Sequence, residues 1–193
     1  MGIKVDIKAA SLYWHFKSKQ QIFQVLAEEV AKRILSAFQD NGDWKEQLFR
    51  LGVNIRKQLQ AFPCSAQLLM QTMPTAPDYV SLLERMLSII EAQPLSDKDK
   101  FSSISSFMNY ILVSELDAYE RNKVRQAITR DIENSEQESY LNLSLYKPDS
   151  RFQILHRMHE NGMFNNVGSD DMFETGLNII ISGIEQLTYK FPQ

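Results

Sequence analysis

Residues 7–17 of the chain read IKAASLYWHFK, and this stretch constrains the fold more than any other. Its residues predict a short helix that exposes tyrosine, tryptophan and histidine side chains beside lysines. Directly after it, Ser18 is a good N-cap, and Gln21 three residues later completes a capping box. The stretch therefore predicts two consecutive helices, a short exposed one and a longer one that begins at residue 18.

The rest of the chain continues the helical pattern. Apolar residues recur at spacings of three and four, and no convincing alternation typical of strands interrupts them. Asparagine, glycine and proline stop signals separate the segments. Further helices are predicted to begin at Asp43, Ser65, Pro77, Ser96 or Asp97, Phe152, and Ser169 or Asp170. The predicted fold class is all-α.

Composition limits the class of protein. A chain of 193 residues with 44% hydrophobic content can bury one large core, and its few prolines and glycines favour long helices. The single cysteine, Cys64, excludes an internal disulfide and a cysteine zinc cluster, and we expect it to be an inert buried thiol. No signal peptide and no membrane-spanning run is visible, so we expect a cytoplasmic protein without a membrane partner.

The net charge of −3 hides an asymmetry along the chain. Residues 1–19 carry four lysines against Asp6 alone, a local charge of +3, so the remainder carries −6. A basic end on an acidic body fits a small DNA-contacting segment attached to a body with another task. A chance cluster of lysines would give the same count.

The side chains of the opening helix suit contact with DNA. Lysine, tyrosine and histidine can donate hydrogen bonds to phosphate oxygens, and alanines at a helix start permit close approach to base edges. Leu12 and Phe16, four residues apart, would anchor the helix to its support. The candidate DNA-contacting residues are Lys8, Ala9, Ala10, Ser11, Tyr13, Trp14, His15 and Lys19.

The stretch ASLYWHFKSK, residues 10–19, resembles the end of the helix-turn-helix in TetR/AcrR-family transcription regulators, and its Trp-His pair is similar to the tetracycline-repressor branch. Residues 173–185, FETGLNIIISGIE, resemble the final helix common in that family's C-terminal domains. The resemblance implies a homodimeric, all-α, ligand-responsive repressor whose partners are operator DNA and a small-molecule effector. Effector binding would shift the spacing of two DNA-reading heads and so lower operator affinity.

The resemblance also implies a division into two domains. Residues 1–40 would be a truncated helix-turn-helix head, with a recognition helix at about 9–16 and a connecting helix at about 18–40. Residues 43–193 would be a TetR-type helical ligand-binding and dimerisation domain. The family's first helix and most of its second have no counterpart in residues 1–8. We therefore expect this chain to bind operator DNA weakly or not at all, whether the cause is a late start site, disordered residues left out of the chain or a naturally headless regulator.

The last helix is predicted to carry an interface. Its apolar positions alternate spacings of four and three, which is the seam along which helices pack at a shallow angle. The resemblance implies that residues 98–121 and 170–190 form a four-helix dimer interface. The candidate interface residues are Phe173, Gly176, Leu177, Ile180, Gly183, Ile184 and Leu187. Packing within one chain is the alternative explanation of this seam.

The resemblance implies an effector pocket among the middle helices, and the candidate lining residues are Met70, Met73, Met86, Met108, His156 and His159. Methionine adapts to irregular ligands, but at helical spacing it more often fills a core. His156 and His159 have no convincing third ligand, so neither a metal site nor a cofactor is predicted. On the long helix that begins near residue 96, the residues predicted to point inward are Phe101, Ile104, Met108, Ile111, Leu112, Leu116 and Tyr119.

Two hypotheses for the function follow. The first is a ligand-responsive transcriptional repressor of the TetR type with impaired DNA binding. The second is a helical dimeric ligand-binding or interaction module that does not bind DNA. No phosphate-binding loop, nucleophile elbow or spaced carboxylate pair is present in the sequence, so we do not expect an enzyme.

Overall fold

The structure is a computed structural model that describes residues 16–131 and 148–190. All regular structure in these two ranges is helical, which confirms the all-α prediction. The elements are α1 Lys19–Ala37, α2 Trp44–Ala61, α3 Ser65–Gln71, α4 Pro77–Ile90, α5 Asp97–Asp131, α6 Gln153–Glu160, a 3-10 helix Met163–Asn166, and α7 Asp170–Lys190. The predicted recognition helix, apart from Phe16, lies outside the described residues.

The first described helix begins with the predicted capping box. The Ser18 hydroxyl accepts the backbone N–H of Gln21 at 3.2 Å, and the Gln21 side chain accepts the backbone N–H of Lys17 at 2.8 Å. Together these bonds satisfy backbone donors that have no partner inside the helix. The helix ends at Ala37, about one turn before the predicted end near residue 40.

The centre of the fold is the crossing of α2, α5 and α7. Asp43 caps α2 by accepting the backbone N–H of Lys45 at 2.9 Å, as its sequence position predicted. Leu51 and Ile55 are fully buried. A Cβ atom at Gly52 would lie 2.9 Å from the Leu177 side chain. A larger residue at this position would have to displace the Leu177 side chain or one of the two helices.

A second layer is formed where α1 packs along α4. The inward face of α1 carries four buried side chains, Ala27, Val30, Ala31 and Ile34. The buried face of α4 is that of Tyr79, Leu82, Met86, Ile89 and Ile90. Small and large side chains thus alternate across the contact, which lets the two helices interdigitate. This packing places α1 directly beside the turn that joins α3 to α4.

One predicted inward position on α5 is wrong. Phe101 is 65% exposed, whereas Ile104 and Met108 on the same side of the helix are buried. Periodicity identifies the face of a helix but not how far along it a neighbouring helix extends. Phe101 lies in the second turn of α5, where neighbouring helices do not cover its side chain. None of the helices in the described ranges is long and apolar enough to cross a membrane.

Candidate functional site

A cavity of about 410 Å³ lies between the end of α2, the start of α3, the middle of α5 and the turn into α7. Its lining mixes apolar side chains with a small number of polar groups, as ligand pockets do. The apolar part includes Leu59, Phe62, Pro63, Ala66 and Leu116. The polar part includes Arg56, Gln60, Cys64, Glu115, Tyr119, Asn122 and Asp170.

The central feature of this cavity is an ion pair between α2 and α5. Arg56 Nε donates to Glu115 Oε1 at 2.7 Å, and the two side chains are only 9% and 7% exposed. Gln60 donates to the same carboxylate oxygen at 3.4 Å. Removing one partner of such a buried pair leaves an uncompensated charge and destabilises a protein by about 3–5 kcal/mol.

Arg56 also connects this pair to the start of α7. Its Nη2 donates to the Gly168 carbonyl at 3.2 Å and lies 3.1 Å from Asp170 Oδ1. Its guanidinium stacks over the Phe173 ring at 4.3 Å from the centroid. Gly168 takes a φ of +85°, which glycine adopts at little cost, and this turn aims its carbonyl at Arg56. One side chain thus joins α2, α5 and α7.

Burial perturbs the acid of the pair. Loss of solvent around Glu115 raises the pKa of its carboxyl group above the ordinary value, and the neighbouring charge and hydrogen bond of Arg56 oppose this only in part. A carboxyl group perturbed in this way, on the wall of a cavity, is typical of functional sites. Structural ion pairs perturb carboxyl groups in the same way, so the cavity is what favours a binding role.

The same ion pair borders a second cavity of about 250 Å³. Arg56, Glu115 and Gly168 line both cavities. On the far side the lining continues with residues of α5 and α7, including Tyr110, Arg121, Met172 and Phe173. The Arg56–Glu115 pair is therefore a partition between two spaces.

The rim of the larger cavity carries the single cysteine. Cys64 is exposed, so the prediction of a buried thiol is wrong. It takes a left-handed backbone conformation, φ 65°, immediately before α3, and α3 turns away from it into the core. Its Sγ lies 3.0 Å from the Tyr119 hydroxyl, and the thiol raises the pKa of that phenol.

The six residues predicted to line a pocket lie elsewhere. Met86 and Met108 are core residues, 0% and 6% exposed, whereas Met70 and Met73 are exposed on the surface. None of the six belongs to the lining of the 410 Å³ cavity. The prediction that these methionines form an effector pocket has no counterpart at this cavity and otherwise stays a prediction.

The two predicted histidines lie on α6. His156 Nδ1 is 3.0 Å from the Pro148 carbonyl, and its Nε2 is 3.2 Å from Glu160. His159 contacts the Phe164 ring edge-on, and its buried Nδ1 has no hydrogen-bond partner in the described part of the chain. Within residues 16–131 and 148–190, no group of three or more metal-ligating side chains comes together.

Arg56 and Glu115 are not among the predicted site residues, although the sequence carries a signal for both. Arg56 lies four residues after Gly52, and Glu115 lies four residues after Ile111, so each charge falls on the buried face of its helix. Lysine, glutamate, arginine and aspartate are almost never fully buried unless they are paired. Two opposite charges on inward faces therefore predict an internal ion pair.

A row of polar side chains on α1 binds the segment between α3 and α4. Gln20 donates to the Gln71 carbonyl at 3.2 Å, and Gln24 donates to the Met73 carbonyl at 2.7 Å. Glu28, one further turn along, accepts backbone N–H groups at the start of α4. Helix α1 is therefore hydrogen-bonded to both α3 and α4. Of these two helices, α3 also forms part of the cavity wall.

Three of the predicted dimer residues are part of the protomer core. Phe173, Leu177 and Ile184 are 4%, 0% and 3% exposed, because they pack against other helices of the same chain. Gly176 contacts the Tyr110 side chain of α5, so the close approach expected at this glycine occurs within the chain. These residues stabilise the fold of the protomer.

The outer side of α7 is apolar and open. Met172 and Ile179 are 49% and 67% exposed, and among the residues that the structure describes none lies within 4 Å of a Cβ added at Gly183. Ile180 and Leu187 are half-buried. A dimer interface on α7 would therefore use the side that carries Met172, Ile179 and Gly183.

Comparison with known proteins settles the family. Residues 38–188 match the family model described as "Tetracyclin repressor-like, C-terminal domain". The chain belongs to this family. Its homologues are transcription regulators and not enzymes, in agreement with the expectation from the sequence. The homology supports a ligand-responsive transcriptional regulator.

Individual relatives have low sequence identity but span nearly the whole chain. The tetracycline repressor protein class C of Escherichia coli is 25% identical over 186 residues, which cover 95% of this chain and 78% of the relative. ActR from Streptomyces coelicolor, in complex with actinorhodin, superposes with a TM-score of 0.69 at 20% identity, covering 93% of this chain and 81% of that one. A variant of TetR from Acinetobacter baumannii AYE, in complex with minocycline, gives 0.60 at 23%, covering 94% and 80%.

Of the predicted DNA-contacting residues of this tetracycline repressor-like chain, the structure describes one. Lys19 is the first residue of α1, is exposed, and has its ammonium group 5.1 Å from the Phe23 ring. The other seven, Lys8 to His15, lie outside the described residues. Their contact with DNA stays a prediction.

Proposed function

We propose that the chain is a cytoplasmic, homodimeric transcriptional repressor whose effector binds in the cavity at the Arg56–Glu115 pair. The observation that carries this proposal is the position of the pair, buried on the cavity wall and bonded to the first turn of α7. The ligand complexes of ActR and TetR, relatives with the same fold, support a small-molecule effector.

The elements around the cavity suggest how occupancy reaches the rest of the molecule. A ligand that bonds to Asp170 competes with Arg56 for this carboxylate, and so weakens the contact of α2 with the start of α7. A ligand that contacts Ser65 or Ala66 moves α3, to whose end Gln20 is bonded. Because α1 precedes the body and follows the predicted recognition helix, a shift of α1 would change the position of the DNA-reading residues.

The homodimer would form on the open side of α7. Exposed apolar side chains on one side of a long helix favour a partner surface, since large exposed apolar patches are uncommon on monomers. Met172 and Ile179 supply this surface, and the absence of a side chain at Gly183 allows a second helix to approach closely. Val113 on α5 is exposed as well.

The function is tested by titrating the protein into labelled DNA from the region flanking its own gene, followed by fluorescence anisotropy, with and without a ligand of the cavity. We expect weak, sequence-specific binding by a dimer and release by the ligand. A monomer at micromolar concentration, or DNA affinity that no cavity ligand changes, would contradict the proposal.

The same titration separates the two hypotheses from the sequence. A dimer that binds a cavity ligand but no DNA would favour a ligand-binding module in place of a repressor. The weak operator binding expected from residues 1–40 stays a prediction, and the dissociation constant measures it directly. Repressor action is checked in a reporter strain, where loss of the gene would raise expression from its own flanking promoter.

A further inference from the structure

The cavity wall carries more negative than positive charge. The charged residues of the lining are Arg56, Glu115 and Asp170, which sum to −1. The Nε and Nη2 groups of Arg56 are already bonded to Glu115, to the Gly168 carbonyl and to Asp170. The Arg56 guanidinium thus already contacts three acceptors, two of which are the carboxylates of Glu115 and Asp170.

The carboxylate of Glu115 has unused capacity to accept hydrogen bonds. Both of its hydrogen bonds, from Arg56 and from Gln60, reach Oε1. Among the residues that the structure describes, none donates to Oε2. Glu115 is 6% exposed, and its Oε2 is not one of the fully buried side-chain atoms that lack a hydrogen-bond partner. A donor on a ligand in the cavity can therefore bond to this oxygen without first displacing Arg56 from Oε1.

The remaining residues of the cavity wall determine which ligand body fits beside the charged groups. Leu59, Phe62, Pro63 and Leu116 offer apolar contact. Tyr119 and Asn122 add further hydrogen-bonding groups beside this surface. A cavity of about 410 Å³ holds a ring system of modest size with one polar head.

We propose that the cavity binds small molecules with an apolar body and a cationic nitrogen head, an amine or an amidinium, which donates to Glu115 Oε2 and faces Asp170. This rests on the proposed function, in which the cavity is the effector site. An anionic ligand fits less well, because it would have to displace two carboxylates from Arg56 and would lie beside both of them.

The single cysteine makes the cavity accessible to a direct test in the natural chain. Cys64 is the only thiol of the protein, lies on the cavity rim and is exposed, so a ligand in the cavity slows its alkylation by neutral iodoacetamide. The probes are naphthylmethylamine, naphthylmethanol and naphthoate, which share one apolar body and differ in the charge of the head.

We expect half-protection of Cys64 by the amine at a concentration about tenfold below that of the alcohol, and still weaker protection by naphthoate. Tenfold corresponds to about 1.4 kcal/mol. The substitution Glu115→Gln keeps the shape of the side chain and removes its charge, so the amine loses its advantage over the alcohol. Glu84→Gln, at an exposed carboxylate of α4 outside the cavity, should keep it.

The outcomes separate this inference from the function on which it rests. If naphthoate protects best, or if the advantage of the amine persists in Glu115→Gln, the cavity binds ligands but the ligand class is wrong. If none of the three probes protects Cys64, both the ligand class and the cavity as effector site are wrong. Circular dichroism of each variant confirms that protection is compared between folded proteins.

Discussion

The carboxylate of Glu28 accepts the backbone N–H of Asp78 at 2.7 Å, so a side chain of α1 caps the first turn of α4. Its second oxygen accepts the backbone N–H of Tyr79 at 3.2 Å. A negative charge at this position also interacts favourably with the positive end of the helix dipole. The helix that follows the predicted recognition helix is thereby fixed to the body by a bond that a single substitution can remove.

Replacing Glu28 should therefore weaken both the fold and the fixation of α1. We expect Glu28→Ala to lower the free energy of unfolding by about 1–2 kcal/mol, as loss of a helix cap does. Urea denaturation followed by circular dichroism measures it. Glu29→Ala is the matched control, because Glu29 is exposed and its salt bridge to Arg33 lies on the surface. Equal losses in the two variants would contradict the capping role.

The crossing of α2 and α7 should not tolerate a side chain at Gly52. A Cβ there would lie 2.9 Å from Leu177 and 3.2 Å from Phe107, so either these buried side chains or one of the helices must shift. We expect Gly52→Ala to destabilise the protein by about 1–3 kcal/mol, as overpacking of a core does, despite the better helix propensity of alanine. Thermal unfolding measures the change, and an unchanged or higher midpoint would refute the close packing described at this crossing.

The open side of α7 should control the oligomeric state. A charge in an apolar interface costs more than on a solvated surface, so Ile179→Glu should convert the proposed dimer to a monomer at micromolar concentration. Sedimentation velocity distinguishes the two. Val80→Glu is the control, since Val80 is exposed on α4, away from this side. Dimers of unchanged affinity in the Ile179 variant would place the interface elsewhere.

The buried acid should make stability depend on pH in a defined direction. Because burial raises the pKa of Glu115, the folded state binds its proton more tightly than the unfolded state does. The stabilisation from that proton is complete below the ordinary carboxyl pKa of 4.5 and is lost as the pH rises through the raised value.

The substitution Glu115→Gln removes this dependence. Its free energy of unfolding, relative to the parent, should improve as the pH rises from about 4.5 through the raised pKa of Glu115, and should then stay constant. Urea titrations of both proteins across this range measure the difference. A constant difference, or one that falls with pH, would show that Glu115 does not carry a raised pKa.

Structural features that depend on neighbours along the chain were predicted from the sequence more successfully than those that depend on distant residues. The cap residues Ser18 and Asp43 bond to the first turns of their helices as predicted, because capping needs only neighbours along the chain. The family was evident from short motifs, and the match over residues 38–188 confirms it.

The cavity and the faces of the long helices were harder to predict. Arg56 and Glu115 are 59 positions apart, and only the packing of α2 on α5 brings them together. Apolar periodicity on α7 correctly indicated a buried seam, but it did not distinguish a seam against the same chain from one against a second copy. The methionines failed as markers of a cavity, since the same side chain fills a core as readily as it contacts a ligand.

Because Arg56 and Glu115 separate the two cavities, they affect how long a ligand can be. A short ligand occupies the larger cavity and leaves the ion pair intact. A longer one enters the smaller space of about 250 Å³ only after the pair has separated, and separation of a buried pair is unfavourable by several kcal/mol. Affinity along a homologous series should therefore rise with size and then drop abruptly. The ion pair therefore limits the length of the ligands that bind well.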